Sequence, residues 1–291
     1  ETRLKGKKYE TGDEDNPEAR RQQEFKKLRD INTNRIPDNI KNLEQDFASR
    51  LPKITDLDNT QALTWVERGP NNVGGRTRAL AGDINDANII IAGGITGGMW
   101  KTVNGGTSWT KTTSYSQLHS ATCLVQDRRT GNKTKWYAGT GERDGNSAGQ
   151  FNSATQFTGN GIFKSTDNGS SWTLLTSTSG IPPNSFTSDW QYVWNVATDV
   201  SNAGEDEVYA ATIGSIYRSS NGGTNWTLVL GSSTTSSTFT DISVSTTGVV
   251  YASGSYIDGG PMNGIRRSTD GISWVDITPA ASFPATYGRI V

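Results

Sequence analysis

Beyond residue 61 the apolar positions fall into short runs separated by Gly, Asn, Ser and Thr, and the runs recur in one order. A first run occupies 77–82, 121–126, 193–198 and 240–245, and a second 89–92, 135–138, 208–211 and 249–252. A third covers 98–101, 161–164, 215–218 and 264–267. Runs this short, bounded by turn residues, predict β-strands rather than helices. Each third run leads into a polar turn that closes on tryptophan. The copies carry Asn104, Gly106 and Trp109, then Asp167, Gly169 and Trp172, then Asn221, Gly223 and Trp226. The fourth, with Asp270, Gly271 and Trp274, is one residue shorter. In such a turn Asp or Asn accepts hydrogen bonds from turn amides, Gly supplies a positive φ, and the indole is buried between sheets. A structural role is therefore predicted for these carboxylates. With a fourth strand after each Trp, the repeat has four strands, the pattern of propeller blades. The predicted fold is an all-β propeller with four blades and an N-terminal α-helical extension.

The first 60 residues follow another pattern. They hold 26 charged side chains and two glycines, against 31 charged side chains and 31 glycines in the remainder. This sets a domain boundary near Asp58, dividing the chain into 1–60 and 61–291. The polar stretch to Asn16 has little to bury and is predicted to be mobile. Asn16 and Pro17 read as a helix start, with the helix running to about Arg29. A second helix is predicted over 37–50, where Ile36, Ile40, Leu43, Phe47 and Leu51 form one apolar stripe. A lone helix of that length is marginal in water, so the stripe calls for a partner surface, on the following domain or elsewhere.

Composition narrows the function classes. A net charge of -1 gives no counterion-release drive toward nucleic acid or an anionic membrane. No apolar run approaches the roughly 20 residues that span a bilayer. One Cys excludes an intrachain disulfide framework and a thiolate-rich metal site, and one His argues against His-based metal or triad chemistry. No metal or cofactor is expected. Cys123 lies on an apolar strand and reads as a packing residue, and His119 as a loop residue.

The Ser-x-Asp-x-Gly-x-x-Trp turns resemble Asp-boxes, the repeat of bacterial neuraminidases (BNR), sortilin-type receptors and family 74 glycoside hydrolases. The resemblance covers about Trp65 to Trp274. The stretch from Trp65 through Gly75 and Arg76, following a charged leader, is similar to the entry into large secreted propeller proteins carried by the bacterial type 9 secretion route. This resemblance implies a secreted or cell-surface location, with type 9 components among the partners. Asp-box propellers generally have six or more blades, so four copies imply part of a larger ring. Residues 287–291 resemble 75–79 and read as the opening of a fifth blade. Residues 64–68 are the candidate for a strand that completes the last blade.

In propellers, ligands meet the face built by loops between second and third strands and by loops joining blades. Two such loops are long. Residues 139–160 carry Glu142, Arg143, Asp144, Gln150 and Phe151; residues 177–192 carry Phe186, Asp189, Trp190 and Tyr192. Carboxylate, guanidinium and aromatic groups together suit a sugar or peptide, so Glu142, Arg143, Asp144, Asp189, Trp190 and Tyr192 are the candidate ligand-binding residues. The alternative packs Trp190 and Tyr192 beside Trp194 as blade core. Glycoside hydrolysis needs two carboxylates flanking the sugar, and Glu142 and Asp144 are candidates for such a pair. The resemblance weakens that case. The acid that precedes the Gly-Gly-aromatic strand in family 74 would fall at Ile95 or Thr96 here, and the sialidase-like Arg35, Ile36 and Pro37 lie in the charged leader. The expectation is a non-catalytic propeller that binds a polysaccharide or surface protein. The competing reading is a sialidase-like or family 74-like glycoside hydrolase whose catalytic groups lie partly beyond Val291.

Overall fold

The structure is a computed structural model that describes residues 17–50, 76–114, 117, 120–143, 157–179, 187–232, 239–255, 262–280, 283, 284, 287 and 290. The chain divides into two units, Glu1–Glu67 and Arg68–Val291. The entry around Trp65, the 64–68 segment, His119 and the polar stretch before Pro17 lie outside the described residues.

In the first unit, helix α1 spans Pro17–Leu28. It stops where the Asp30 carboxylate takes over the backbone, accepting from the amides of Asn32 at 2.9 Å and Thr33 at 2.8 Å. Such an Asx turn competes with helical hydrogen bonding. Helix α2 spans Ile40–Arg50, three residues later than the apolar stripe predicts. Pro37 biases Ile36 away from helical geometry, and the Pro37 carbonyl instead accepts the Ile40 amide at 3.0 Å in a turn. Leu43 and Phe47 of the stripe are solvent-exposed.

The second unit is built of four antiparallel four-stranded sheets, each with its strands in chain order. The first contains β1 (Thr77–Gly82), β2 (Ile90–Gly94), β3 (Gly98–Thr102) and β4 (Thr110–Lys111). The second contains β5 (Ala121–Gln126), β6 (Trp136–Thr140), β7 (Ile162–Ser165) and β8 (Thr173–Leu174). Strands β9 (Val193–Thr198), β10 (Val208–Thr212), β11 (Ser215–Ser219) and β12 (Thr227–Gly231) make the third. The fourth has β13 (Thr240–Val244), β14 (Val250–Gly254), β15 (Gly264–Ser268) and β16 (Val275–Asp276). First strands of successive sheets pack side by side, so the sheets fan out as blades from that inner row.

Three apolar cores lie at the three blade interfaces. Ala79, Ile91 and Met99 of blade 1 meet Ala121, Trp136, Phe163 and Trp172 of blade 2. Tyr137 and Ile162 of blade 2 meet Val193, Val196 and Val208 of blade 3, with Tyr217 and Trp226 packed against them. Tyr209 and Ile216 of blade 3 meet Ile242, Val250 and Met262 of blade 4, beside Trp274. Blades 2 and 3 are therefore apolar on both faces, unlike a single sheet with one wet side.

The repeated turns share one hydrogen-bond scheme. In blade 2 the Ser165 hydroxyl donates to Asp167 at 2.7 Å and accepts the Gly169 amide at 2.8 Å, while Asp167 accepts the amides of Ser170 and Ser171. Thr102 with Asn104, and Ser219 with Asn221, reproduce it. The fourth turn lacks one residue, so Ser268 accepts the amide three positions on, that of Gly271, rather than four, and Asp270 accepts those of Ile272 and Ser273. The closing tryptophans differ in burial. Trp172 is 5% exposed, with its Nε1 donating to the Thr112 hydroxyl, whereas Trp109 is 39% exposed.

Candidate functional site

The connection from β6 to β7 and the lead-in to β9 emerge at the same end of the blades, opposite the tryptophan turns, and are sewn together. The amide of Gly159 donates to the Gln191 carbonyl at 2.9 Å, and that of Gly161 to the Trp190 carbonyl at 3.0 Å. Gly141, at φ 99°, passes so close beneath that a Cβ would collide with the Gln191 carbonyl. This position requires glycine on both counts. A single 3-10 turn, Asp189–Gln191, holds the lead-in, closed by a capping box between Ser188 and Gln191.

Glu142 sits at the end of this ladder, exchanging backbone hydrogen bonds with Phe157 at 2.7 and 2.8 Å. Its side chain is fully buried. The carboxylate is held between two arginines of the first blade, Arg76 and Arg78, the latter at 3.0 Å. Both arginine side chains keep about a third of their surface in solvent, and the Arg76 guanidinium lies 6.0 Å over the Phe157 ring. Among the described residues, half-buried Arg143 is next in sequence to this cluster.

The other candidate residues sit differently. Asp189 is 5% exposed and accepts from the Ser215 hydroxyl at 3.1 Å and the Tyr217 hydroxyl at 2.8 Å. Burial pushes its carboxyl above the usual range, and the Tyr217 and Ser215 hydroxyls pull it back only in part. The Trp190 ring packs on Tyr217 (centroids 4.6 Å apart) and Trp226 (5.3 Å), within the second interface. The Trp194 ring lies 4.7 Å from that of Phe239. Tyr192 is buried. Asp144, Gln150, Phe151 and Phe186 lie outside the described residues. The structure therefore brings Glu142 together with Arg76, Arg78 and Phe157, groups absent from the candidates chosen by sequence. The signal that could have found the arginines is their i, i+2 spacing at the start of β1, which puts both on one side of the strand.

Of the two positions expected to match the family 74 acid, Ile95 is 3% exposed, with its amide donating to the Arg76 carbonyl at 3.1 Å, and Thr96 is exposed. Among the described residues no group of three or more His, Cys, Asp or Glu side chains is placed to hold a metal ion. No helix among them is long and apolar enough to cross a membrane.

No family model and no curated protein matches the chain. Solved structures do. An ancestral GH74 enzyme aligns over 69% of this chain and 25% of its own length, at 25% identity and TM-score 0.51. The four sheets are blades of a β-propeller. The GH74 xyloglucanase from Xanthomonas campestris matches 67% of this chain and 29% of its own, at 16% identity and TM-score 0.47. An auxiliary nutrient binding protein from Bacteroides thetaiotaomicron matches 70% and 41%, at 12% identity and TM-score 0.43. The chain spans between 25% and 41% of the lengths of these three proteins.

Proposed function

We propose that the protein is a non-catalytic, secreted or cell-surface propeller of the Asp-box type that binds a glycan or protein, carried outward by the type 9 secretion route with residues 1–60 as leader. Its ligand meets the loop face bearing Arg76, Arg78, Glu142, Arg143 and Phe157. The observation that carries this reading is the state of Glu142. A fully buried carboxylate clamped by two arginines holds two partly exposed side chains, those of Arg76 and Arg78, in fixed positions. Guanidinium pairs suit carboxylate or sulfate groups on a ligand, and the Phe157 ring beside them offers an apolar face for stacking.

The test is retention of the full-length protein on immobilised acidic and neutral polysaccharides, with reducing sugar assayed in the same tubes. Retention on the acidic matrix without sugar release is expected, weakened at least about tenfold, or ~1.4 kcal/mol, in the Arg76→Ala, Arg78→Ala double variant. Sugar release that Glu142→Gln or Asp144→Asn abolishes would instead favour a glycoside hydrolase, the reading suggested by the likeness to the ancestral GH74 enzyme. Unchanged extracellular yield from cells with an inactivated type 9 route would remove the secretion assignment.

A further inference from the structure

Acidic and basic groups are placed differently at the loop end. Among the described residues of the β1 start, the connection from β6 to β7 and the lead-in to β9, the acids are Glu142 and Asp189 and the bases Arg76, Arg78 and Arg143. Both acids are buried, at 0% and 5% exposure, whereas all three arginines reach solvent. The charged groups that a ligand meets on these segments are therefore basic.

The arginines are not equally engaged. Arg78 reaches Glu142 through one terminal nitrogen, Nη1, at 3.0 Å, and has no other partner among the described residues. Its Nε and Nη2 remain, the edge on which a carboxylate is gripped by two parallel hydrogen bonds. Arg143 follows Glu142 directly yet takes no part in the clamp. Among the described residues it has neither a hydrogen bond nor an ion pair. A half-buried cation without an acceptor has lost hydration that a bound anion would offset. Phe157, bridged to Glu142, brings a half-buried ring to the same place, 6.0 Å from the Arg76 guanidinium.

We propose, on the reading of this face as a binding site, that its ligand is a polyuronate, a glycan chain with carboxylates on successive residues, held at two separate points by Arg78 and Arg143. A single terminal acid satisfies one guanidinium group and leaves the other as it was. A chain satisfies both, and its second contact forms at the effective concentration set by the first. The clamp shows the chemistry, since the arginines of β1 already hold a carboxylate. A glycan suits the site better than an acidic peptide. A uronate carries its carboxylate on a rigid ring with an apolar face for Phe157, whereas Asp and Glu must each order rotatable bonds on binding.

The test is calorimetric titration of the full-length protein with galacturonic acid, hexagalacturonate, a neutral hexasaccharide and polyglutamate. Hexagalacturonate is expected to bind at least about 100-fold more tightly than the monomer, and Arg143→Gln to remove roughly tenfold or more of that gain. Arg143→Lys, which keeps the charge without the fork, should fall between the two. The length comparison needs no variant, so it decides the matter even if a variant does not fold. Equal affinity for monomer and hexamer, or a hexamer bound equally well by Arg143→Gln, would overturn the proposal. Tighter binding of polyglutamate would also overturn it and make the ligand an acidic peptide. Binding of the neutral hexasaccharide alone would remove the polyuronate while the glycan-binding reading stands. Failure of all four, with no retention on immobilised polysaccharide, would remove both.

Discussion

At one end of the blades the connections repeat, and at the other they do not. The tryptophan turns reuse one hydroxyl, one Asp or Asn and one glycine amide in each of four copies. The Ser or Thr hydroxyl and the Asp or Asn side-chain oxygen are bonded within the turn, which is therefore specified by a few consecutive residues. At the loop end, Glu142 pairs with arginines 66 and 64 positions away, and Asp189 accepts hydrogen bonds from hydroxyls 26 and 28 positions away. The difference teaches where individuality resides. The turn end builds and spaces the blades, while the loop end is free to differ from blade to blade and carries the candidate site.

The sharpest probe of that contrast is Trp172→Ala. The turn's hydrogen bonds survive it, but the ring fills the first interface, so the loss is expected to be about 3–5 kcal/mol by chemical denaturation. A loss below about 1 kcal/mol would mean that the turn end is held by its local bonds alone. Next is Glu142→Gln, which removes the buried charge that pairs with Arg76 and Arg78. Removing one partner of a buried pair costs roughly 3–5 kcal/mol, and the partial exposure of both arginine side chains lowers the expectation to about 2–3. An unchanged transition midpoint would show that the loop-end cluster is not part of the scaffold.

Within the turn, Ser165→Ala removes a hydroxyl that donates to Asp167 and accepts the Gly169 amide, and about 1–2 kcal/mol should be lost in urea titrations. The smallest effect is electrostatic. Partial burial pushes the Asp167 carboxyl up, but bonds from the hydroxyls of Ser171 and Ser165 and two turn amides bring it down to about 2. A depressed carboxyl contributes stability that is present above its unfolded pKa, near 4, and is lost as pH falls toward 2. Asp167→Asn, which copies the residue already present in the first and third turns, should flatten that part of the acid limb. The change is expected to stay below about 1 kcal/mol because the group is exposed. An acid limb identical to the parent's would place the depressed carboxylate elsewhere.

Much of the fold was legible along the chain. The first strands β1, β5 and β9 fall on the predicted runs, because alternating apolar residues between Gly and Asn turns have few other ways to satisfy their backbone. The start of α2 was misjudged by three residues, since periodicity registered Ile36 while Pro37 governed its backbone. The candidate site was legible only in part. Glu142 and Arg143 stand out in a long loop, but nothing near them in sequence announces Arg76, Arg78 or Phe157.

The sequence by itself determined the repeat, the four-stranded blade and the turn that closes on tryptophan, because each depends on residues within a few positions of one another. Tertiary structure alone decided that Trp172 is buried while Trp109 is exposed, and that Trp190 belongs to an interface. It also decided that the Glu142 carboxylate serves two arginines of another blade. Burial and ion pairing are set by what the neighbouring blade supplies, and that neighbour is dozens of residues away in the chain.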